Sequence, residues 1–263
     1  MLNAPLELEP VHSERVDEEE HIVFDHVSFS YLGKKNNLSD ISFSLKKGET
    51  LGIIGSIGSG KTTVINLLQR LYEKGEGSIR INGEEVSSIE PERLHRMFGV
   101  VFQNDVIFAD SIRDNIDFGR NLPDEVIERA ARHAQAYDFI SALPDGFDHM
   151  ISQRGTNLSG GQKQRLLIAR ALAGNPEILI LDDSSSALDY RTDSELRKAL
   201  RENYPDTTTV VIAQRISSIL HADHILVLED GEENGYGTHD ELMENNEVYR
   251  EIGDSQLGGD FEL

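Results

Sequence analysis

The chain has 263 residues, with 47 Asp+Glu against 25 Lys+Arg for a formal charge of −22, 38% hydrophobic residues and no cysteine. That length admits one large domain or two small ones, and no apolar run approaches the roughly 20 residues of a membrane span, so the chain is not expected to cross a bilayer alone. The missing cysteines exclude disulfides, thiolate catalysis and Cys-ligated zinc and suit a reducing cytosol, while the negative charge opposes non-specific attraction to nucleic acid or anionic lipid.

Residues 1–20 hold seven acids and one base and read as an acidic leader or linker remnant, with no secretory signal. Alternation from Ile22 to Tyr31 and over Ile41-Ser42-Phe43-Ser44-Leu45 predicts two strands, and the polar stretch 32–37 between them a turn, giving an antiparallel opening. From Thr50 the pattern changes to short apolar strands alternating with amphipathic helices. Leu51–Ile54 precedes a helix from Lys61, Ile178–Leu181 precedes a helix near 192–203, and Thr209–Ile212 and Ile225–Leu228 follow. This is the signature of a parallel α/β sheet. Between them, residues 106–173 lack a strong strand and carry helical spacing at 124–136 and 160–173, which predicts a helical insertion. Gly231-Glu232-Glu233-Asn234-Gly235 lacks an apolar strand residue and predicts a loosely held end. Residues 253–263 read as an acidic tail, and positions 229–263 carry a net −11, which leaves only −5 on the middle of the chain. None of the nine histidines has zinc-protease spacing, and all read as ordinary polar residues.

The first chemical motif is Gly55-Ser56-Ile57-Gly58-Ser59-Gly60-Lys61-Thr62, which satisfies G-x-x-x-x-G-K-[ST] directly after an apolar strand and before a helical segment opened by Thr63. Glycines let the backbone curl so that successive N–H groups face phosphate oxygens, and the helix N-terminus adds partial positive charge. Lys61 is expected to reach the β- and γ-phosphates and Thr62 to ligate Mg²⁺, which makes ATP and Mg²⁺ the expected cofactors. The nucleotide-binding set is Gly55, Ser56, Gly58, Ser59, Gly60, Lys61, Thr62 and Thr63. A dinucleotide-binding loop is excluded, because G-x-G-x-x-G requires glycine where Thr63 stands.

A second anion-binding helix start, Leu158-Ser159-Gly160-Gly161-Gln162, opens the helix that runs to Ala173. Alone, such a pentapeptide is equally well a helix cap. Joined to the phosphate loop and to Ile178-Leu179-Ile180-Leu181-Asp182-Asp183, it makes residues 22–252 resemble the nucleotide-binding domain of ABC transporters. The resemblance implies a RecA-like P-loop NTPase core, an antiparallel β subdomain and an inserted α-helical subdomain. It also implies a head-to-tail dimer in which ATP lies between one subunit's phosphate loop and the other's signature, Leu158–Gln162. Tyr31 matches the aromatic that stacks on adenine, and Gln103 the glutamine that contacts Mg²⁺ and links the site to the helical insertion. Asp182 matches the acid that holds Mg²⁺ through water, and Ser186-Ala187-Leu188-Asp189 the loop that touches the partner. Gln153-Arg154-Gly155 stands where exporter-type domains face the membrane domains, and the wording at Asn115-Ile116, Asn157–Ser159 and Gly237–His239 is similar to the exporter branch.

Two positions depart from that pattern. Active members place Glu after the Mg²⁺ acid to polarise the attacking water, whereas this chain has Asp183, and one methylene less withdraws the carboxylate by about 1.5 Å. Family members carry a histidine after the strand 209–212, where this chain has Gln214, which cannot become cationic. With Asp183, Gln214, Gln103 and Lys61 as the catalytic set, the expected site binds ATP and hydrolyses it slowly. This resembles the degenerate-site subunit of heterodimeric ABC exporters, whose partner carries Glu and His at these positions. A homodimer that tolerates Asp at low rate, and an ATP-dependent dimerising sensor, stay open as alternatives. An ABC ATPase for DNA repair or ribosome work predicts long heptads or a tandem domain, and neither is present. The expected partners are a second nucleotide-binding domain and transmembrane domains, with no nucleic acid, and the expected place is the cytoplasmic face of the plasma (inner) membrane.

Overall fold

The computed structural model describes residues 20–33, 36–102, 105–182 and 187–257. Ten strands form one sheet: β1 (Glu20–Phe29), β2 (Leu38–Lys46), β3 (Thr50–Gly55), β4 (Glu76–Ile81), β5 (Glu84–Glu85), β6 (Phe98–Val101), β7 (Ile178–Asp182), β8 (Thr208–Ile212), β9 (His224–Glu229) and β10 (Glu232–Gly237). Their order is β5-β4-β1-β2-β10-β9-β3-β8-β7-β6. One flank, β5 to β2, is antiparallel throughout. The run β9-β3-β8-β7-β6 is parallel throughout.

Nine helices are described: α1 (Lys61–Leu68), α2 (Pro91–Arg96), α3 (Ile112–Asp117), α4 (Asp124–His133), α5 (Tyr137–Ser141), α6 (Gly160–Ala173), α7 (Tyr190–Asn203), α8 (His239–Asn245) and α9 (Glu247–Leu257). No helix of the described residues is long and apolar enough to cross a membrane.

The two-residue period of a strand explains why β7 is apolar without interruption. Ile178 and Ile180 join the core cluster that also holds Val64, Ile65, Leu67 and Leu68 of α1, whereas Leu179 and Leu181 join the cluster built on α3, α4 and α6. A strand covered on both faces has no polar face to offer. The helical insertion is thereby seated on the reverse side of the sheet from α1.

One side chain ties the insertion together internally. Arg170 of α6 donates to the Asn115 carbonyl at 2.7 Å, to the Val106 carbonyl at 3.0 Å and to Asn115 Oδ1 at 3.0 Å. Its guanidinium lies 4.7 Å from the Phe118 ring centre and 5.6 Å from that of Phe108. Arg170→Ala removes the donor to each of these three acceptors, of which Asn115 Oδ1 keeps its bond from the Phe108 N–H, and is expected to lower unfolding stability by about 2–3 kcal/mol. Urea unfolding followed by circular dichroism checks this, and an unchanged midpoint contradicts it.

Two expectations need correction. The segment Gly231–Gly235 is not loosely held, because β10 pairs antiparallel with β9 and bridges to β2 at Glu232 opposite Ser39, which joins the two halves of the sheet. The strand holds through hydrogen bonds rather than burial. Ser39 N–H donates to the Gly231 carbonyl at 2.8 Å, the Tyr236 hydroxyl to the Ser44 carbonyl at 2.6 Å, and Asn246 Nδ2 to the Asn234 carbonyl at 3.0 Å. The second correction concerns residues 253–257, which continue α9 instead of starting a tail. Gly253 is buried, and a Cβ built there would meet Ile216 Cδ1 and Met243 Sδ at 3.4 Å each, so the helix packs closely on its neighbours.

Candidate functional site

The parallel strands end on one edge, and in open α/β sheets ligands collect at that carboxyl edge. There β3 runs into the loop 55–60 and α1. Gly55 sits at φ +156°, and a Cβ there would lie 2.1 Å from the Leu228 carbonyl oxygen. Gly60 sits at φ +103°, and a Cβ there would lie 2.5 Å from Leu38 Cδ2. Both positions therefore require glycine, one for the close approach of β9 and one for the left-handed step into α1. A Cβ at Gly58 meets nothing within 4 Å, and Ile57 is 97% exposed, so the loop opens outward. Ser59 Oγ is buried with no hydrogen-bond partner among the described residues. Open space, an unpartnered hydroxyl and a helix N-terminus together fit a phosphate group.

The Lys61 ammonium donates to the carbonyls of Gly55 at 2.8 Å and Ser56 at 2.7 Å, which draws it back over the loop. Partial burial lowers its pKa from the ordinary lysine value, and the Asp182 carboxylate opposes that shift. Asp182 closes β7 in register with Ile212 of β8, so the acid and Lys61 share the strand edge. Thr62 is exposed at the start of α1.

Tyr31 is 42% exposed and reaches this loop from the antiparallel flank. Its hydroxyl pairs with Thr63 Oγ1 at 3.3 Å, its N–H donates to Asn37 Oδ1 at 3.0 Å, and its ring stands edge-on to Phe29 at 4.7 Å and to Tyr72 at 4.9 Å. Tyr72, itself 47% exposed, escaped the sequence reading. The available signal was an aromatic in a polar turn just after α1.

Leu158–Gln162 opens α6 with a capping box: Gln162 N–H donates to Ser159 Oγ at 3.2 Å and Ser159 N–H to Gln162 Oε1 at 2.8 Å. Leu158 is buried, while Gly160 faces open space. A Cβ on Gly161 would lie 3.1 Å from the Ala187 carbonyl oxygen, which brings the signature beside the segment Ala187-Leu188-Asp189. Asp189 caps α7 by accepting from Thr192 N–H at 3.0 Å and Thr192 Oγ1 at 2.8 Å, and these bonds hold its carboxyl below the ordinary range. Gln214 lies exposed just beyond β8. Gln103, Asp183 and Ser186 lie outside the described residues.

Residues 38–186 match the ABC transporter family. Among curated proteins, the chain is 46% identical over 232 residues to a probable multidrug resistance ABC transporter ATP-binding/permease protein of Bacillus subtilis, covering 88% of this chain and 40% of that one. It is 43% identical over 233 residues to a putative multidrug export ATP-binding/permease protein of Staphylococcus aureus, again covering 88% and 40%. Among solved structures, a bacterial Atm1-family ABC exporter with ATP bound superposes with a TM-score of 0.85 at 37% identity, over 92% of this chain and 43% of that one. The chain thus spans about 40% of the length of these curated relatives. It belongs to the ABC transporter family and has the fold of that family's nucleotide-binding domain, with a RecA-like P-loop NTPase core.

Proposed function

We propose that the chain is the ATP-binding domain of an ABC exporter, and that its own site binds ATP firmly but hydrolyses it slowly. One observation carries the binding reading: a glycine-dependent loop whose Lys61 faces Asp182 at the carboxyl edge of a parallel sheet. In this reading Gly55, Ser56, Gly58, Ser59, Gly60 and Thr63 cradle the phosphates, and Tyr31 offers its ring to the adenine with Phe29 and Tyr72 as edge supports. Thr62, Asp182 and Gln103 would hold Mg²⁺. The hydroxyl of Thr62 and the carboxylate of Asp182 are the hard oxygen donors that Mg²⁺ takes. Bound Mg²⁺ supplies positive charge to the β- and γ-phosphate oxygens.

The Asp183 side chain, one methylene shorter than Glu, gives its carboxylate less reach toward the attacking water, and Gln214 offers a neutral hydrogen bond where a cation would do more. The signature Leu158–Gln162, open at Gly160, serves a second nucleotide-binding domain, with Ser186–Asp189 at the same interface. Exposed Val106, Phe108, Phe118 and Met150 give the helical insertion an apolar surface that suits transmembrane domains, at the cytoplasmic face of the membrane. The wording of the matched relatives, multidrug export and resistance, supports export without naming this chain's substrate.

Mg²⁺-ATP at 100 times its dissociation constant is expected to stabilise the chain by about 2.7 kcal/mol. A calorimetric titration is expected to show one ATP per chain. No saturable heat, together with no shift in the unfolding midpoint, overturns the reading.

A further inference from the structure

The loop that carries Gln214 is held from outside its own strand. After β8 the chain makes a single 3₁₀ turn, Ile216–Ser218, and the first N–H groups of such a turn have no partner within it. The Ile216 N–H donates to Gln256 Oε1 at 2.9 Å, and Gln256 Nε2 donates to the Gln214 carbonyl at 2.8 Å. One side-chain amide in the last turn of α9 thus pairs with the backbone on both sides of Arg215, much as a neighbouring strand would. Only this orientation of the amide works, because the flipped one sets donor against donor and acceptor against acceptor.

Packing keeps α9 in place to do this. Ile216 and Tyr249 are fully buried in one apolar cluster with Ala213 and Leu242, and Met243 and Ile252 pack against it. The Tyr249 N–H donates to Asn246 Oδ1 at 2.8 Å, and the Tyr249 hydroxyl pairs with His239 Nδ1 at 2.9 Å. The starting point of the Gln214 side chain is therefore set by α9, which is forty residues further along the chain, as well as by β8.

Building on the reading of Gln214 as the γ-phosphate contact, we propose that Gln256 is a positioning residue for Gln214 and that α9 latches the switch loop of the ATP site. Displacing α9 then retunes hydrolysis without touching the phosphate loop. The test uses the whole chain with Gln256→Leu, which removes both bonds at similar volume. Gln256→Glu is the gentler variant, keeping the acceptor for Ile216 but setting a carboxylate against the Gln214 carbonyl.

One bond of ordinary strength, to Gln256 Oε1, protects the Ile216 amide, and the bond from Gln256 Nε2 to the Gln214 carbonyl holds that side-chain amide in place, so Gln256→Leu is expected to speed exchange at Ile216 by about tenfold, with Gln256→Glu between it and the unmodified chain. ATP turnover is expected to fall by about tenfold in Gln256→Leu while KM stays within about twofold, since misplacement of about 1 Å costs rate rather than affinity. In a Gln214→Ala background the same substitution is expected to change turnover no further, because nothing is left to position. Unchanged exchange at Ile216 in both variants, or an equal cost in the Gln214→Ala background, overturns the proposal. A chain that binds no ATP instead refutes the functional reading, and with it the latch, even where the exchange result holds.

Discussion

Lys61→Ala is expected to lose ATP affinity by about 10²-fold or more, the cost of removing one partner of a desolvated charge pair. In the unmodified chain the ammonium has three donors, and two of them go to the Gly55 and Ser56 carbonyls. Those bonds hold the group over the loop with one donor left for a phosphate oxygen. Its lowered pKa comes from burial, with Asp182 acting to keep the charge in place. Alanine removes the only side-chain cation of the loop itself, while the apolar face of α1, carried by Val64, Ile65, Leu67 and Leu68, is untouched. The fold is therefore expected to survive, with an unchanged far-ultraviolet spectrum. Lys61→Arg is not a rescue, since a planar fork cannot satisfy two carbonyls of one tight loop and a phosphate as a rotating ammonium does. Affinity measured by calorimetry that stays the same in Lys61→Ala places the nucleotide elsewhere.

The second large effect is a gain. Asp183→Glu combined with Gln214→His is expected to raise ATP turnover by on the order of 10²-fold or more, since a positioned general base contributes roughly 10²–10⁴-fold. The extra methylene of Glu returns the carboxylate by about one bond length, and errors of about 1 Å are the ones that cost on the order of 10²-fold. Histidine at 214 restores a group whose charge can change near neutral pH. Each single change is expected to give only part of the gain, because in the proposed site the two groups serve one phosphate and act as a unit. Phosphate release at saturating Mg²⁺-ATP measures this, and a double variant no faster than the unmodified chain contradicts it.

What the sequence made legible follows from where the information sits. The phosphate loop could be read because glycine is required twice by geometry, at Gly55 against β9 and at Gly60 in a left-handed turn, so residue type and structure coincide. The unbroken apolar run of β7 likewise announced burial on both faces. Strands β4 and β6 gave no such signal, being short and interrupted by Gly77, Arg80 and Gly99, and they are strands because β1 and β7 pair with them. The same holds for β10, whose polar residues read as a loose end and are held by backbone pairing to β9. In the site itself, Tyr72 behind Tyr31 and Gln256 across from Gln214 are contacts between distant parts of the chain, and no local pattern encodes them.

The negative charge, so prominent in the composition, belongs mostly to the two ends and says little about the site. The proposed function centres on a site that binds ATP and hydrolyses it slowly, and the fate of a single bound ATP tests it most directly. The chain is mixed, in excess, with labelled ATP and Mg²⁺, and the nucleotide that stays on the protein is identified over time beside the Asp183→Glu, Gln214→His variant. The predicted result is intact ATP on the unmodified chain after the variant has converted its share to ADP. Conversion at the same rate in both contradicts a slow site.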